Sequence, residues 1–128
     1  MIFVMVSGDR NYKHKSVIET AIKRFDKSKV TIIHGGCRGA DSLAEQVCKQ
    51  NSFVSKIFYP DYDKYGSPRC FHIRNDEMLK IANILLVFHT DLQNSKGTKS
   101  VFNKAMKIKL PIEVYPNDKE IAILYNNE

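Results

Sequence analysis

The sequence has no apolar run approaching the about eighteen consecutive residues that a membrane span needs. Its beginning, MIFVMVSGD, lacks the basic residues of a secretion signal, and its apolar run is too short for one. The three cysteines, Cys37, Cys48 and Cys70, cannot all pair within the chain. No C-x-x-C pair is present, and the four histidines show no ligand spacing. We therefore expect a cytoplasmic, reducing location, no membrane contact and no bound metal.

No internal repeat, low-complexity tract or linker interrupts the chain, so its length suits a single domain over residues 1–128. Hydrophobic residues make up 43% and charged residues 27%, an ordinary mixture for a globular protein. The formal net charge of +6 favours anionic partners such as nucleotides, phosphates or nucleic acid. A solvated, lysine-rich surface explains the same charge without any partner.

Strand and helix patterns alternate along the chain. Strands are predicted at residues 2–6, 30–34, 53–59, 84–89, 112–115 and, as a short edge strand, 121–125; helices are predicted at 15–25, 40–50, 70–82 and 98–109. The segments PDYDKYGSPR and TDLQNSKG are predicted to be loops. Alternation of this kind predicts an α/β fold: a doubly wound, mainly parallel sheet of five or more strands, with helices on both faces.

The predicted strand ends carry most of the candidate functional residues. Ligands of doubly wound sheets bind beyond the carboxyl ends of the strands, where the strand order reverses. The segments that follow the first four strands are SGDRN, HGGCRGAD, YPDY and HTDLQNSKGT. Three of the four are rich in Gly, Ser, Thr, Asp, Arg or Lys, which indicates a polar ligand site at this edge of the sheet.

The segment HGGCRGAD joins a predicted strand to a predicted helix through Gly35, Gly36 and Gly39. It is neither a Walker A loop nor the G-x-G-x-x-G dinucleotide motif. Glycines allow a ligand to approach closely, and the following helix offers unbonded N–H groups to an anion. Either Ser42 and Glu45 form a capping box, or Asp41 caps the helix. A tight turn without a ligand is an equally good interpretation.

The segment SKGTK begins the last predicted helix, with Thr98 as a candidate N-cap. Lys96 and Lys99 flank the first turn, where positive charge opposes the helix dipole by a few tenths of a kcal/mol each. A bound phosphate would make both lysines favourable. Alternatively, both side chains point into water.

The predicted helix at 70–82 carries an arginine on its apolar stripe. The apolar positions of that stripe are Phe71, Met78, Leu79 and Ala82. Arg74 and Asn75 follow Phe71 at the i+3 and i+4 positions, on the same face. Because a buried arginine needs a partner, Arg74 either contacts an anionic ligand or forms a buried ion pair with Asp9 or Asp41.

Other residues at the strand ends have two interpretations each. Ser7 and Asp9 can hold ligand hydroxyls and Arg10 a phosphate, while Asp9 serves equally well as a turn residue. The three tyrosines of the third loop can stack on a base or cover the sheet edge; they are Tyr59, Tyr62 and Tyr65. His34 and His89 end strands and could line a pocket.

Four motifs occur in order at strand–helix junctions. They are SGDRNY (7–12), GGCRGADSLA (35–44), RNDEML (74–79) and KGTKSVFNKAMKIKLPIEVY (96–115). Together they resemble the SLOG superfamily, which includes the DprA-like proteins and the LOG phosphoribohydrolases, and most of all its small YspA/YpsA-related proteins. The resemblance implies a Rossmann-like, nucleotide-binding domain, without a cofactor and as a homodimer.

The resemblance also implies site residues. It places two phosphate-handling loops at residues 35–41 and at 97–98, and it matches Arg74 with an arginine in the third helix of phosphoribohydrolases. Those enzymes carry a glutamate just after the Gly-Thr pair, where this chain has Lys99, Ser100 and Val101. The Pro-Gly-Gly before that pair is replaced by NSK. Both departures argue against hydrolysis and leave binding intact.

Three hypotheses follow. The first is a sensor, carrier or sequestering protein that binds a nucleotide or nucleotide-derived ligand. The second is an N-glycosidase or ribosyl transferase acting on nucleotides, with Asp9, Asp41 and Glu77 as candidate catalytic carboxylates. The third, single-stranded nucleic-acid binding, ranks last because the glycine loops favour a small phosphate ligand.

The predicted ligand-binding residues are Ser7, Gly8, Asp9, Arg10, Gly35, Gly36, Arg38, Gly39, Ala40, Asp41, Arg74, Asn75, Lys96, Gly97, Thr98 and Lys99. The first hypothesis predicts that Arg74→Ala removes thermal stabilisation by nucleotides with little loss of stability in the free protein.

Overall fold

A six-stranded sheet runs through the protein in the computed structural model, which describes residues 1–126. Its strands are β1 (Ile2–Gly8), β2 (Val30–His34), β3 (Val54–Ile57), β4 (Ile84–Phe88), β5 (Ile112–Tyr115) and β6 (Ile123–Tyr125). The spatial order is β3-β2-β1-β4-β5-β6, and every neighbouring pair is parallel except β5 with β6. This confirms the predicted doubly wound, mainly parallel α/β fold.

Helices cover both faces of the sheet. They are α1 (Lys15–Lys23), α2 (Ala40–Asn51), the short α3 (Tyr62–Tyr65), α4 (Arg69–Ile81) and α5 (Gly97–Lys107). Buried side chains of α1 and α2 share one hydrophobic cluster, and those of α4 and α5 share a second. Two clusters on opposite faces are what the right-handed crossovers of a doubly wound sheet produce.

The central strands show the side-chain pattern of a sheet buried on both faces. In β1, Val4 and Val6 join the cluster under α1 and α2, whereas Met5 joins the cluster under α4 and α5. In β4, Leu85–Phe88 are all fully buried, as the continuous apolar run predicts. The same packing places β1 and β4 side by side at the centre of the sheet.

Several element ends differ from the sequence prediction. The third strand covers only Val54–Ile57, and the predicted loop after it contains α3, where the Asp61 side chain accepts a hydrogen bond from the Lys64 N–H at 3.0 Å. The last helix ends two residues early because Lys109 has a φ of 58°. Leu110 N–H then bonds the Ala105 carbonyl at 3.0 Å, as in a Schellman motif.

The strand order reverses between β1 and β4. The chain passes from β1 outward to β2 and β3, then returns to the other side of β1 to form β4. The carboxyl ends of β1 and β4 therefore flank the crevice in which ligands of doubly wound sheets bind. No helix within residues 1–126 combines the length and the apolar character needed to cross a membrane.

Candidate functional site

A cavity of about 420 Å³ lies at this crevice, between the carboxyl end of β1, the loop after β2, α4 and the start of α5. Its volume falls within the range of roughly 300–1,000 Å³ that is usual for small-molecule sites. Most of the predicted ligand-binding residues line it: Ser7, Gly8, Arg10, Gly35, Asp41, Arg74, Asn75, Lys96, Gly97 and Thr98. The chain thus brings residues from three strand–helix junctions and from α4 to one place, and we call this cavity the inner lobe.

The glycine loop after β2 uses most of its N–H groups within the protein. Gly35 N–H and Cys37 N–H donate to one oxygen of Asp41, Oδ2, at 3.1 and 3.3 Å. Gly36 N–H donates to His34 Nδ1 at 3.0 Å. These N–H groups are therefore not open to an anion, and the loop forms a rigid wall of the cavity.

Both predicted caps of α2 are wrong. The residue before the helix is Gly39, and no side chain caps its first turn. Asp41 lies inside the helix and turns back to the loop, which removes it from the capping position. The capping box fails because Glu45 instead binds His34 Nε2 at 2.8 Å and Ser55 Oγ at 3.1 Å.

His34 is a structural residue. Its side chain is 1% exposed, and its Nδ1 accepts a hydrogen bond, so a neutral ring carries its proton on Nε2 and donates it to Glu45. Burial raises the pKa of Glu45, but the hydrogen bonds from His34 and Ser55 outweigh that effect, and the pKa lies below its ordinary value. The expectation that His34 or His89 lines the pocket is wrong: neither side chain reaches the inner lobe.

Gly8 and Gly39 allow the backbone segments at the crevice to touch. A Cβ at Gly8 would collide with the Phe88 carbonyl of β4 and lie 2.6 Å from Ala40 Cβ. Gly39 has a φ of 78°, and a Cβ there would collide with the Asp9 carbonyl and lie 2.5 Å from the Arg10 carbonyl oxygen. These close approaches hold the end of β1 against β4 and α2.

Arg74 fastens two loops to α4. Its side chain is 6% exposed, and its Nη1 donates to the carbonyl oxygens of Gly35 at 2.7 Å and Phe58 at 3.1 Å. Its Nε donates to Asn75 Oδ1 at 2.8 Å. Among residues 1–126 it forms no ion pair, so the predicted partners Asp9 and Asp41 are wrong.

The hydrogen-bond partners of Arg74 change the expected stability of the Arg74→Ala variant. Removing the side chain would leave the two carbonyl groups without their donor in a largely buried region. The expectation that Arg74→Ala barely affects the free protein therefore does not hold. Within residues 1–126 the one hydrogen-bond partner of its Nη2 is Cys37 Sγ at 4.0 Å, and Arg74 lines the cavity.

The start of α5 differs from the predicted cap. Ser95 Oγ accepts the Thr98 N–H at 3.1 Å, and Thr98 Oγ1 donates to the Gly8 carbonyl at 3.1 Å. Thr98 is thus a helical residue that ties α5 to β1, and its assignment as N-cap is wrong. Within residues 1–126 the N–H groups of Gly97 and Lys99 form no hydrogen bond. This helix start therefore keeps the unbonded donors that the glycine loop lacks.

Several predicted site residues lie outside the inner lobe. Asp9 Oδ1 accepts the Asn11 N–H at 2.9 Å, which supports the turn interpretation of Asp9. Lys99 Nζ bonds the Gln93 side chain at 3.1 Å on the outer side of α5. Glu77 is exposed on α4, away from the cavity. The other residues outside the inner lobe are Gly36, Arg38, Gly39 and Ala40.

Asp41 is the carboxylate that lines the inner lobe among the residues described. Burial raises the pKa of this carboxyl above its ordinary value, although His34, the N–H groups of Cys37 and Gly35, and Arg74 act in the opposite direction. Because Oδ2 takes both N–H bonds, Oδ1 is the oxygen left at the cavity wall. Asp41 can therefore offer one oxygen to a ligand hydroxyl.

We predict that Asp41→Asn becomes more stable relative to wild type as the pH rises. A raised pKa means that this carboxyl contributes stability fully below its ordinary pKa of 3.8 and loses that contribution as the pH passes the raised value. Asparagine stays neutral, and its amide oxygen can accept both N–H bonds. Urea unfolding between about pH 4 and pH 7 measures the difference. A difference that shrinks with rising pH would contradict the prediction.

Sequence reasoning assigned no ligand role to several cavity residues, which are Val6, Cys37, Pro68, Phe71, His72, Met78 and Val101. Phe71 and Met78 lie on the same stripe as Arg74, and the stripe passes from the sheet to the cavity along α4. That shared stripe was the signal that could have identified them. The residues described contain no group of three or more His, Cys, Asp or Glu side chains that could hold a metal ion.

A second depression of about 450 Å³ opens directly beside the inner lobe, and we call it the outer lobe. Its wall consists of Arg10, Gly35, Gly36, Cys37, Arg38, Tyr59, Pro60, Tyr62, Phe71 and Arg74. Tyr59 and Tyr62 are 73% and 57% exposed. For the third-loop tyrosines, sequence analysis left base stacking and coverage of the sheet edge both open. Tyr59 and Tyr62 line the outer lobe, and Tyr65 lines neither lobe.

The sheet order, the crevice between β1 and β4 and the polar cavity at it define a Rossmann-like protein with a cavity at its switch point. The chain belongs to the YspA, cpYpsA-related SLOG family, whose model matches residues 2–65. This confirms the resemblance inferred from the motifs. A similar protein is the gene 61 protein of Mycobacterium phage D29, which is 27% identical over 118 residues that cover 85% of this chain and 92% of the phage protein.

Two solved structures share the fold. DNA processing protein A (DprA) from Streptococcus pneumoniae superposes with a TM-score of 0.76 and 16% identity over 91% of this chain. The chain spans about half of the pneumococcal protein, 51% of its length. TM1055 superposes with a TM-score of 0.65 and 17% identity, covering 88% of this chain and 72% of TM1055. At these identities both structures support the fold alone.

Proposed function

We propose that this protein binds a nucleotide or nucleotide-derived ligand in the inner lobe, as a sensor, carrier or sequestering protein. The observation that carries the proposal is the set of groups around that cavity: two unpaired cations, a helix start with unbonded N–H groups, and one carboxylate oxygen. Membership of the SLOG family supports a nucleotide-related role. We also propose that residues 1–128 form one nucleotide-binding domain; a homodimer and a cytoplasmic location stay predictions.

The charge balance of the inner lobe favours an anion. Arg10 and Lys96 are both exposed at its rim, and neither forms an ion pair within residues 1–126. Asp41 compensates them only partly, because it is one carboxylate in a lining that also holds Arg74. An incoming phosphate would meet donors whose charge is not already neutralised.

The phosphate position that the contacts favour is the start of α5. Lys96 precedes this helix, and Gly97 and Lys99 offer N–H groups that are not bonded to protein. A helix start of this kind stabilises an anion through both its N–H groups and its dipole. Sequence analysis assigned a phosphate to the glycine loop at residues 35–41. In this proposal the loop instead forms the cavity wall that places Asp41 beside the sugar of the ligand.

Binding without hydrolysis is the simpler function for this site. The glutamate of the phosphoribohydrolases is absent, and at the corresponding positions Lys99 lies outside the cavity and Val101 lines it. Of the three candidate catalytic carboxylates, only Asp41 lines the cavity, and its Oδ2 already accepts two N–H groups. The N-glycosidase alternative therefore depends on Asp41. Release of free base from a panel of nucleotides by the pure protein would support that alternative.

We predict that Arg10→Ala weakens nucleotide binding about 10- to 100-fold, the effect of losing one charge-assisted hydrogen bond. Arg10 is exposed and unpaired, so the free protein should keep its stability within about 0.5 kcal/mol. Titration calorimetry with the four ribonucleoside monophosphates measures the affinity. Arg69→Ala is the matched control, because Arg69 is also an exposed arginine but lines neither lobe. Equal losses in the two variants would contradict the assigned site.

A further inference from the structure

The outer lobe adjoins the inner lobe, and five residues contribute to both linings. Arg10, Gly35, Cys37, Phe71 and Arg74 line both. Each lobe alone is near the small end of the range of roughly 300–1,000 Å³ for ligand sites. A ligand that fills the inner lobe and extends past Arg10 would enter the outer lobe directly.

The residues that line the outer lobe are suited to bind a nucleic-acid base together with a phosphate. Its wall contains three arginines and no carboxylate. Arg10 and Arg38 are exposed and form no ion pair within residues 1–126. Exposed aromatic rings beside unpaired cations bind a base by stacking and a phosphate by charge.

The two tyrosines are held by neighbouring groups. The Tyr62 ring packs edge-on against Phe71, with ring centres 5.5 Å apart and planes at 89°. Gly36 lies under Tyr59: a Cβ at Gly36 would be 3.6 Å from Tyr59 Cε1. Gly36 is exposed, so its missing side chain leaves the floor of the lobe open beside the Tyr59 ring. Because both tyrosines are more than half exposed, part of each ring remains accessible to a base.

We infer that the ligand is a 5′-phosphorylated dinucleotide unit rather than a mononucleotide. The first phosphate would lie at the start of α5, and the linking phosphate would pass Arg10 at the junction of the lobes. The second base would stack on Tyr59 and Tyr62, with Arg38 beside its phosphate. This inference rests on the proposed function, because it extends the ligand from the inner lobe.

The test compares matched ligands on the wild-type protein. Affinities are measured by titration calorimetry for the four nucleoside monophosphates and for the corresponding 5′-phosphorylated dinucleotides. We expect each preferred dinucleotide to bind about tenfold or more tightly than its mononucleotide, as one added base stack would give. Equal affinities would overturn the inference and leave the proposed function intact. No binding of either ligand type would overturn both.

Variants of the outer-lobe tyrosines test whether the outer lobe causes the preference for dinucleotides over mononucleotides. Tyr59→Ala should weaken dinucleotide binding roughly 5- to 150-fold, the effect of one lost base–aromatic stack, and leave mononucleotide affinity unchanged. Tyr59→Phe should retain the wild-type preference, because the ring is kept. Tyr65→Ala is the control, since Tyr65 lies in the same short helix as Tyr62 and lines neither lobe. A dinucleotide preference that survives both Tyr59→Ala and Tyr62→Ala would overturn the inference.

Binding of a ten-nucleotide single strand distinguishes two natural ligands that contain such a dinucleotide unit. One is the end of a single-stranded nucleic acid, and the other is a free dinucleotide. Affinity that rises further with length, and falls more steeply with salt, supports the end of a single strand as the natural ligand. Affinity no greater than that of the dinucleotide supports a free dinucleotide.

Discussion

Arg74→Ala is expected to destabilise the protein by about 3 kcal/mol even in the absence of any ligand, and to abolish nucleotide binding. The substitution removes the donor of two carbonyl groups, Gly35 and Phe58, and each buried acceptor left unbonded costs about 1–3 kcal/mol. It also releases the glycine loop from α4, so the wall of the inner lobe loses its fixed position. Urea denaturation followed by circular dichroism measures the first effect, and calorimetric titration measures the second.

Two variants on the same helix make this prediction specific. Arg69→Ala removes an exposed arginine and should change stability by no more than about 0.5 kcal/mol. Arg74→Lys keeps the charge but lacks the planar group that bridges two carbonyls, so its stability should lie between wild type and Arg74→Ala. If Arg74→Ala unfolds at the same urea concentration as Arg69→Ala, Arg74 does not hold the two loops.

Gly39→Ala is expected to cost about 3–5 kcal/mol, enough to leave a marginally stable protein largely unfolded. The φ of 78° is unfavourable for alanine, and the added Cβ would collide with the backbone carbonyl of Asp9. Backbone atoms cannot move aside as a flexible side chain can, so the end of β1 would have to separate from α2. The free energy of unfolding from urea titrations measures the cost.

Gly66 and Gly97 distinguish the cost of the positive φ from the cost of the collision between the added Cβ and its neighbours. Gly66 has a similar φ of 69° but no atom within 4 Å of an added Cβ, so Gly66→Ala should cost only the backbone strain, about 1–2 kcal/mol. Gly97 has neither a positive φ nor a neighbour within that distance, so Gly97→Ala should stay within about 0.5 kcal/mol of wild type. A Gly39→Ala cost no larger than that of Gly66→Ala would show that close packing at the crevice is unimportant.

Local patterns predicted the fold because each strand and helix carries its own signal. Alternating apolar segments gave the order of the elements, and the fully apolar run before His89 marked a strand buried on both faces. Element ends were less predictable, because they depend on single backbone conformations such as the positive φ of Lys109.

Local sequence patterns also predicted part of the candidate site. An arginine on an apolar stripe must have a partner, so sequence alone marked Arg74. The partners themselves lie 39 and 16 positions away in the chain, and only the folded structure brings those carbonyl groups to it. The use of the glycine-loop N–H groups by Asp41 and His34 is likewise a tertiary contact, with no sequence signal to distinguish it from an open anion site.

The most direct test of the account is a crystal structure of the protein with the nucleoside monophosphate that binds most tightly. The account predicts the nucleotide in the inner lobe, its phosphate bonded to the N–H groups of Gly97 and Lys99 and to the side chains of Lys96 and Arg10, and its sugar beside Asp41. A nucleotide found instead on the outer side of α5, among Lys104 and Lys107, would contradict it.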